Sequence, residues 1–314
     1  MCKIYSMTNM VKLTEKIHNG ELKNIGISNM NDFYIELKGI VGLHNEDGYG
    51  MAVTSENSNL VESYHQLETD APLNLFESIE TNDKYPVTIF DSIAASYKKS
   101  ELAESSFMSP TQLIAHSRTS TNSISLDHCH PFISPMQDEA LVHNGVVDCE
   151  DKQYFIDTSS LKTDNDSEML SQLYWTLGTD CTELLSGYFA TMNIDKQGVT
   201  IMRDDMAQLV GYWCNELDTY IFATKTDMIV DILDVVGVAC LESMITPVRE
   251  LVSFKIDSKG QISGVESIAA PKDMMLTSRT SKAFKDYDNY NNDIYDRYDE
   301  YEDDFAYYNK TSMK

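Results

Sequence analysis

The chain contains the sequence Leu113-Ile114-Ala115-His116-Ser117-Arg118 and, further on, the sequence Ala140-Leu141-Val142-His143-Asn144-Gly145. In each sequence, three consecutive apolar residues are followed directly by polar ones. A short, continuously apolar run favours a strand that is buried on both faces over a strand with one solvated face. We therefore predict two buried strands, with polar side chains gathered where the strands end.

The polar residues that follow these two strands are suited to hold a small polar ligand. Arg118 carries a planar guanidinium with a permanent charge, which fits a carboxylate. Asn144 and the unhindered amide of Gly145 can direct two hydrogen-bond donors at one oxygen atom. In isolation, Arg118 would be interpreted as a surface ion-pair partner. A reaction centre built from these residues also requires a nucleophile.

Cys2 supplies a candidate nucleophile at the start of the chain. Removal of Met1 generally requires a small second residue, so the mature chain is expected to begin with the α-amino group of Cys2 beside its thiol. An α-amino group titrates near about 7.7–8.0 and a thiol near about 8.5, so the amine can accept the thiol proton at neutral pH. By itself, a cysteine after the initiator methionine is incidental in most chains.

Five motifs, in their order and approximate spacing, resemble the class II glutamine amidotransferases. They are Met1-Cys2, Asn45-Glu46-Asp47-Gly48-Tyr49-Gly50, Ala115-His116-Ser117-Arg118, Ser125–Phe132 and Val142-His143-Asn144-Gly145. The resemblance extends over about residues 2–260 and is greatest to the stand-alone amidotransferase-like branch. It implies an N-terminal-nucleophile (Ntn) hydrolase domain, which we expect at residues 2–270. The implied fold is α+β, a four-layer αββα sandwich.

The resemblance assigns catalysis to Cys2, Asn144 and Gly145. Cys2 would attack the side-chain amide of glutamine, and the Asn144 side chain and the Gly145 amide would stabilise the oxyanion. In family members fused to synthases, an Arg three positions before the Asp of the second motif supports the cysteine, whereas this chain has His44 before Asp47. The support of Cys2 therefore departs from that pattern.

The resemblance assigns the binding of glutamine to Arg118, Thr121, His130 and Asp166. Arg118 and His130 would lie near the substrate carboxylate, Thr121 would contact the substrate, and Asp166 would bind the α-amino group. For His130, the alternative is a structural turn residue before Pro131. For Asp166, which falls in the first turn of a predicted helix, the alternative is a favourable interaction with the helix dipole or cap.

Composition narrows the classes of function. The chain has 314 residues, enough for a sizeable core, and a formal net charge of −26. Such an acidic chain repels phosphate backbones and anionic membrane surfaces, so nucleic acid or lipid is not expected as the main partner. Its six cysteines show no paired CxxC spacing, and its beginning lacks the apolar core of a signal peptide. We therefore expect a reduced, soluble, cytoplasmic protein.

No metal or other cofactor is expected, and the expected small-molecule partner is L-glutamine. His116, His128 and His143 are the candidate metal ligands. Zinc sites use a closed set of His, Cys or carboxylate ligands at compatible spacing, and His116 and His143 already belong to the motifs above.

Three functions remain open from the sequence. The first is a glutaminase that forms a thioester on Cys2 and releases ammonia for an acceptor on another protein, because the remaining roughly 50 residues are few for a conventional acceptor-activating domain. The second is a γ-glutamyl amide hydrolase or peptidase with water as the only acceptor. The third is a catalytically inactive binding scaffold, against which the complete set of motif residues argues.

Periodicity and turn residues predict the other elements. Strands are predicted at residues 3–7, 51–53, 187–192, 198–202, 220–223 and 250–254. Helices are predicted at residues 29–41, with a cap near Ser28, at 164–178, at 229–241, and at 89–98 within a polar insertion over residues 56–110. The pattern alone indicates an α+β class. The two stacked sheets, covered by helices on both outer faces, follow from the resemblance.

Residues 281–314 form an acidic, Tyr-rich tail. High charge and low aliphatic content favour a disordered, solubilising end. The aromatic residues of the tail also recur at steps of three and four, which on a helix would gather them into one stripe. A partner with a basic, apolar groove would bury that stripe. The alternative is therefore a tail that becomes helical when it docks onto the ammonia acceptor or onto an assembly.

Overall fold

A computed structural model describes residues 2–42, 48–67, 106–118 and 125–272 of the chain. Within these ranges the chain forms two antiparallel sheets. The first sheet consists of β1 (Lys3–Met7), β2 (Gly48–Thr54), β3 (Glu62–Gln66), β4 (Gln112–Arg118), β9 (Val210–Cys214), β10 (Thr219–Ala223) and β11 (Thr246–Pro247). The second sheet consists of β5 (Phe132–Ile133), β6 (Glu139–Asp148), β7 (Ser186–Asp195), β8 (Gly198–Arg203), β12 (Val252–Asp257) and β13 (Ile262–Ser267).

The strand order gives β1 and β4 central positions. The first sheet has the order β11-β9-β10-β1-β4-β2-β3, and the second has the order β13-β12-β8-β7-β6-β5. The α-helices in the described ranges are α1 (Val11–His18), α2 (Met30–Gly42), α3 (Asp166–Leu177) and α4 (Thr226–Val235). None of these helices combines the length and the apolar character needed to cross a lipid bilayer.

Side-chain alternation along β1 separates a helix-facing side from a sheet-facing side. Tyr5 and Met7 are fully buried in a core that they form with α1, α2 and α4. Burying one such side chain contributes roughly 1.5–3 kcal/mol, so the helices hold β1 firmly. Cys2, Ile4 and Ser6 have the opposite parity and lie toward the second sheet, whose strands β6, β7 and β8 contact the first sheet.

A second core lies on the outer face of the second sheet. There α3 contributes Met169, Leu170 and Leu173, which pack with Val147 of β6 and Phe189 of β7. The apolar residues of α3 recur at helical spacing, which is why one face of this helix is buried. The layers are therefore helices, sheet, sheet and helix, and the predicted α+β fold with an αββα arrangement is confirmed.

The helices predicted at 29–41, 164–178 and 229–241 agree with the structure except at their ends. The first of them begins at Met30, and its cap is Asn29 rather than Ser28, because the Asn29 Oδ1 accepts a hydrogen bond from the Asp32 N–H at 3.1 Å. The Asp32 Oδ2 accepts one in turn from the Ser28 N–H at 2.8 Å, which forms a reciprocal capping arrangement. The helix predicted at 229–241 is α4, which ends earlier, before Gly237 with its φ of +68°.

Several strands extend beyond their predicted limits. β2 begins at Gly48 rather than Met51, because both of its edges are paired, with β3 and with β4. β3 itself falls in the region that we interpreted as a polar insertion, so that interpretation is wrong for Glu62–Gln66. The pattern also missed α1, β5, β9, β11 and β13. The helix predicted at 89–98 lies outside the described residues.

Candidate active site

The register of the central strands brings Cys2 beside Arg118. β1 pairs with β4 in antiparallel fashion, with Lys3 opposite Ser117. Continuing this register by one residue puts Cys2 opposite Arg118. On its other side, Arg118 is opposite Gly48 of β2. The predicted nucleophile and the predicted carboxylate-binding residue therefore lie side by side at the ends of two central strands of the first sheet.

Exposure distinguishes the two residues in a way that suits their predicted roles. Arg118 is only 5% exposed, so it is not the surface residue that an incidental ion pair would use. Cys2 is partly exposed as a residue. None of the six cysteines, all of which lie in the described ranges, forms a disulfide.

The sequence His143-Asn144-Gly145 lies inside β6 and not after it, which corrects the prediction that these residues follow the strand. Asn144 is opposite Ala190 and Gly145 is opposite Phe189 in the pairing of β6 with β7. β6 also contacts β1 and β4 of the first sheet. The side chain of His143 is directed at α3, so the alternation of a strand directs Asn144 toward the first sheet.

Gly145 occupies a position that only glycine fits. Its φ is +152°, a conformation that side-chain-bearing residues rarely adopt. A Cβ atom at this position would also collide with the carbonyl oxygen of Tyr188 and would come within 2.9 Å of the Phe189 Cα. The backbone of β6 therefore departs from regular strand geometry directly after Asn144, at the amide that the resemblance assigns to the oxyanion.

Asp166 is joined to the same strand. Its Oδ2 accepts a hydrogen bond from the backbone N–H of Val147 at 2.9 Å. The cap of α3 is a different residue, Asn165, whose Oδ1 accepts a hydrogen bond from the Ser167 N–H at 2.9 Å. The Asp166 carboxylate is thus tied to β6 two residues after Gly145. It is not the cap of α3, although it lies in the first turn of that helix, where the dipole alternative places an acidic residue.

His130 belongs to a pair of buried imidazoles. It is 4% exposed, and its ring centroid lies 3.8 Å from that of His116, which is 1% exposed. Burial, followed by the neighbouring histidines and Arg118, lowers the pKa of both rings well below the usual value. Both rings are therefore neutral at neutral pH. The positive charge in this group therefore comes from Arg118.

The loop of residues 125–131, which carries His130, is anchored to two neighbouring segments. The Nε2 of His65 on β3 lies 2.7 Å from the carbonyl oxygen of Pro131. The side-chain Nδ2 of Asn165 donates to the carbonyl oxygen of His128 at 3.4 Å. The loop is thereby linked to the first sheet and to the start of α3.

His128 stabilises the loop of residues 125–131 through two side-chain contacts. Its Nδ1 lies 2.6 Å from the Oγ of Ser125, and its Nε2 donates to the Oδ1 of Asp164 at 3.2 Å. In the part of the chain that the structure describes, no group of three His, Cys, Asp or Glu side chains is arranged to hold a metal ion.

Some predicted site residues cannot be located, and others were missed. Thr121 and His44 lie outside the described residues. Sequence reasoning gave no role to Ser167 or His65, although both are linked to predicted site residues. Ser167 follows Asp166 directly, which was the available signal. His65 gave none, because its strand falls within the segment that we interpreted as an insertion.

The chain is similar in sequence to one family of domains. The sequence profile of that family, described as a glutamine amidotransferase domain, matches residues 98–287. This segment is more than half of the chain, and it includes Arg118, His130, Asn144 and Asp166. No match to a curated protein was found. The chain belongs to the glutamine amidotransferase domain family, and its recognition as a class II, Ntn-type member is confirmed.

Solved structures share this fold at low sequence identity. The chain is 16% identical to an allosteric regulatory enzyme of purine biosynthesis, with a TM-score of 0.53 over 86% of this chain and 50% of that one. It is 17% identical to glutamine phosphoribosylpyrophosphate amidotransferase from B. subtilis, solved with ADP and GMP, with a TM-score of 0.50 over 85% of this chain and 49% of that one.

A third structure is a glutamine aminotransferase class-II domain protein from Silicibacter pomeroyi. It is 13% identical, with a TM-score of 0.44 over 86% of this chain and 100% of that one. The chain spans about half the length of the first two structures. At these identities, the first two similarities establish the fold alone.

Proposed function

We propose that this domain hydrolyses the side-chain amide of L-glutamine through a thioester on Cys2, and that the ammonia passes to an acceptor on another protein. The observation that supports the proposal most is the register of β1 and β4, in which Cys2 falls opposite the buried Arg118. A partly exposed cysteine beside a buried cation suits a substrate whose reacting carbon is a few bonds from a carboxylate.

The proposed reaction begins when the α-amino group of Cys2, after removal of Met1, takes the proton from the thiol. The thiolate attacks the amide carbon of the glutamine side chain, and the carbonyl oxygen becomes an oxyanion. The Nδ2 of Asn144 and the N–H of Gly145 donate hydrogen bonds to this oxygen. The loss of one such donor typically costs about 10² to 10³ in rate.

The same proton then serves the departure of ammonia. The α-ammonium group of Cys2 returns the proton to the leaving nitrogen, the C–N bond breaks, and a γ-glutamyl thioester remains on the sulfur. Water, deprotonated by the same amine, attacks the thioester and releases glutamate. Each step uses the amine at the end of the chain, so a retained Met1 would block the reaction.

Selection of glutamine rests on its two charged ends. Arg118 is proposed to bind the α-carboxylate through its two-pronged guanidinium, with His130 and Thr121 as neutral hydrogen-bonding neighbours. Asp166 is proposed to bind the α-amino group. Its link to Val147 puts a carboxylate close to the strand that carries the two oxyanion donors.

The test combines mass spectrometry with a glutaminase assay. Protein that has lost Met1 is expected to release ammonia from glutamine, whereas protein that keeps Met1 and a Cys2→Ala variant are expected to release none above background. Diazo-oxonorleucine, a reactive glutamine analogue, is expected to label Cys2. Labelling at Cys129 or Cys149, or full activity with Met1 retained, would contradict the mechanism.

Assays on γ-glutamyl peptides separate the proposed reaction from its alternative. A peptidase on the same fold would cleave γ-glutamyl peptides faster than glutamine. The proposed glutaminase is expected to prefer glutamine, and its ammonia is expected to reach a product only when an acceptor protein is added.

A further inference from the structure

The hydroxyl group of Ser167 lies between two parts of the candidate active site. Its Oγ is 2.8 Å from the Nδ1 of His143 and 3.3 Å from the Oδ1 of Asp166. His143 directly precedes Asn144, and the Oδ2 of Asp166 accepts the N–H of Val147 at 2.9 Å. Together with the backbone of β6 from His143 to Val147, these contacts form a closed ring of bonds, and Asn144 and Gly145 are part of that ring.

The start of α3 holds Ser167 in a fixed position. Its N–H donates to the Oδ1 of the cap residue Asn165 at 2.9 Å. The carboxylate of Glu168 accepts the N–H groups of Lys162 and Thr163 at 2.9 Å and 2.8 Å, which secures the preceding loop. Ser167 is 4% exposed, so water does not compete freely for its hydroxyl.

The ring of His143 supports the backbone of Gly145. A Cβ atom on Gly145 would come 2.7 Å from the Nε2 of His143, so the ring occupies the space next to that residue. His143 is 2% exposed, and burial lowers its pKa, against the opposing influences of the nearby Asp166 and of a hydrogen bond to the Tyr188 backbone. A neutral imidazole has one donor and one acceptor nitrogen, so its orientation depends on the partner at Nδ1. That partner is Ser167.

We propose that Ser167 and His143 are positioning residues, which set the spacing between the carboxylate of Asp166 and the oxyanion donors Asn144 and Gly145. The inference deepens the proposed function and rests on it. In glutamine, two methylene groups and the α-carbon separate the α-amino group from the side-chain amide carbon. A fixed spacing between the two binding points therefore selects glutamine over asparagine, which is one methylene shorter.

The proposal is tested with three variants on one helix. Ser167→Ala removes the hydroxyl that joins His143 to Asp166, and Ser167→Thr retains it. Ser171→Ala is the matched control, because Ser171 is also buried and lies one turn further along α3. Its hydroxyl donates to the backbone carbonyl oxygen of Ser167 and not to the Ser167 side chain. Each variant is assayed with Met1 removed, and its thermal unfolding is compared with that of the wild-type protein.

Ser167→Ala is expected to lower kcat/KM for glutamine by roughly tenfold to a hundredfold, which corresponds to the loss of a hydrogen bond to a charged group. Both kcat and KM should change, and the preference for glutamine over asparagine should narrow by at least about tenfold, within the range that one methylene controls. Ser167→Thr should restore most of the activity, and Ser171→Ala should keep the wild-type values. Equal kinetics in Ser167→Ala and Ser171→Ala would overturn the proposal.

A measurement without substrate separates this inference from the proposed function. In protein with ¹⁵N-labelled histidine, the ring nitrogens of His143 are expected to shift in Ser167→Ala and not in Ser171→Ala. If the wild-type protein does not hydrolyse glutamine, the proposed function fails. If it does and the His143 signals are the same in both variants, the link through Ser167 fails while the function stands.

Discussion

Replacement of Gly145 by Ala is expected to destabilise the protein by a large part of its total stability. The residue has a φ of +152°, and holding a side-chain-bearing residue in such a conformation costs about 1–3 kcal/mol. The new Cβ would also meet the Tyr188 carbonyl oxygen, the His143 ring and the Phe189 backbone. Overpacking of this kind adds about 1–3 kcal/mol. The sum, about 2–6 kcal/mol, compares with total stabilities of about 5–15 kcal/mol for natural domains.

Gly26→Ala provides a matched control. Gly26 has a φ of +96°, but a Cβ there would have no atom within 4 Å. This variant therefore carries the conformational cost alone, roughly 1–2 kcal/mol. The difference between the losses in free energy of unfolding of the two variants therefore reflects mainly the steric crowding at position 145 in β6.

The assay is urea unfolding followed by tryptophan fluorescence. With a slope of about 3 kcal/mol per M, a loss of 3 kcal/mol lowers the midpoint by about 1 M. Gly145→Ala should show at least such a shift, or fail to fold, and Gly26→Ala should lower the midpoint by only about 0.3–0.7 M. Equal midpoints for the two variants would refute the argument that the Tyr188 carbonyl and the His143 ring restrict this position to glycine.

Two further predictions concern the glutamine site and the tail. Arg118→Lys keeps the charge and loses the two-pronged geometry, so the KM for glutamine should rise more than about tenfold, whereas Asn144→Ala should lower kcat by about 10² to 10³ with little change in KM. Steady-state kinetics with the two effects interchanged would mean that the two roles are assigned the wrong way round. Deletion of residues 281–314, which lie outside the described residues, should leave glutamine hydrolysis intact and abolish co-purification of the acceptor protein. A truncated protein that loses activity or keeps every partner would refute a docking role for the tail.

The strands that the sequence predicted are those whose runs of apolar residues indicate burial. β4 has an apolar run, Leu113-Ile114-Ala115, and it is fully buried as expected. β6 was predicted too short, because His143 and Asn144 look like a strand end, whereas pairing with β7 continues the strand through them. β9 was missed because its residues are mostly half-buried and its position depends on pairing with β10, as when Gly211 packs against the ring of Phe222.

The candidate site was predictable where a residue carries its chemistry in a motif. Arg118 and Asp166 belong to such motifs. In the structure, Arg118 lies at the end of β4 beside β1, and Asp166 is hydrogen-bonded to β6. The surroundings of His130 were not predictable, because its ring packs at a tilt of 38° against His116. This contact joins the loop before β5 of the second sheet to β4 of the first sheet. Histidine side chains are polar enough that sequence alone does not indicate full burial. The hydroxyl of Ser167 was likewise hidden, because its partner His143 comes from another element.

The buried imidazoles affect how a pH–rate profile of this protein is to be interpreted. Burial lowers the pKa of His65, His116, His130 and His143, so none of these rings gains a proton as the solution passes through neutrality. Histidines are the usual source of an inflection in that range. With these four excluded, an inflection near neutral pH points to groups outside this cluster of imidazoles, among them the reacting amine and thiol of Cys2.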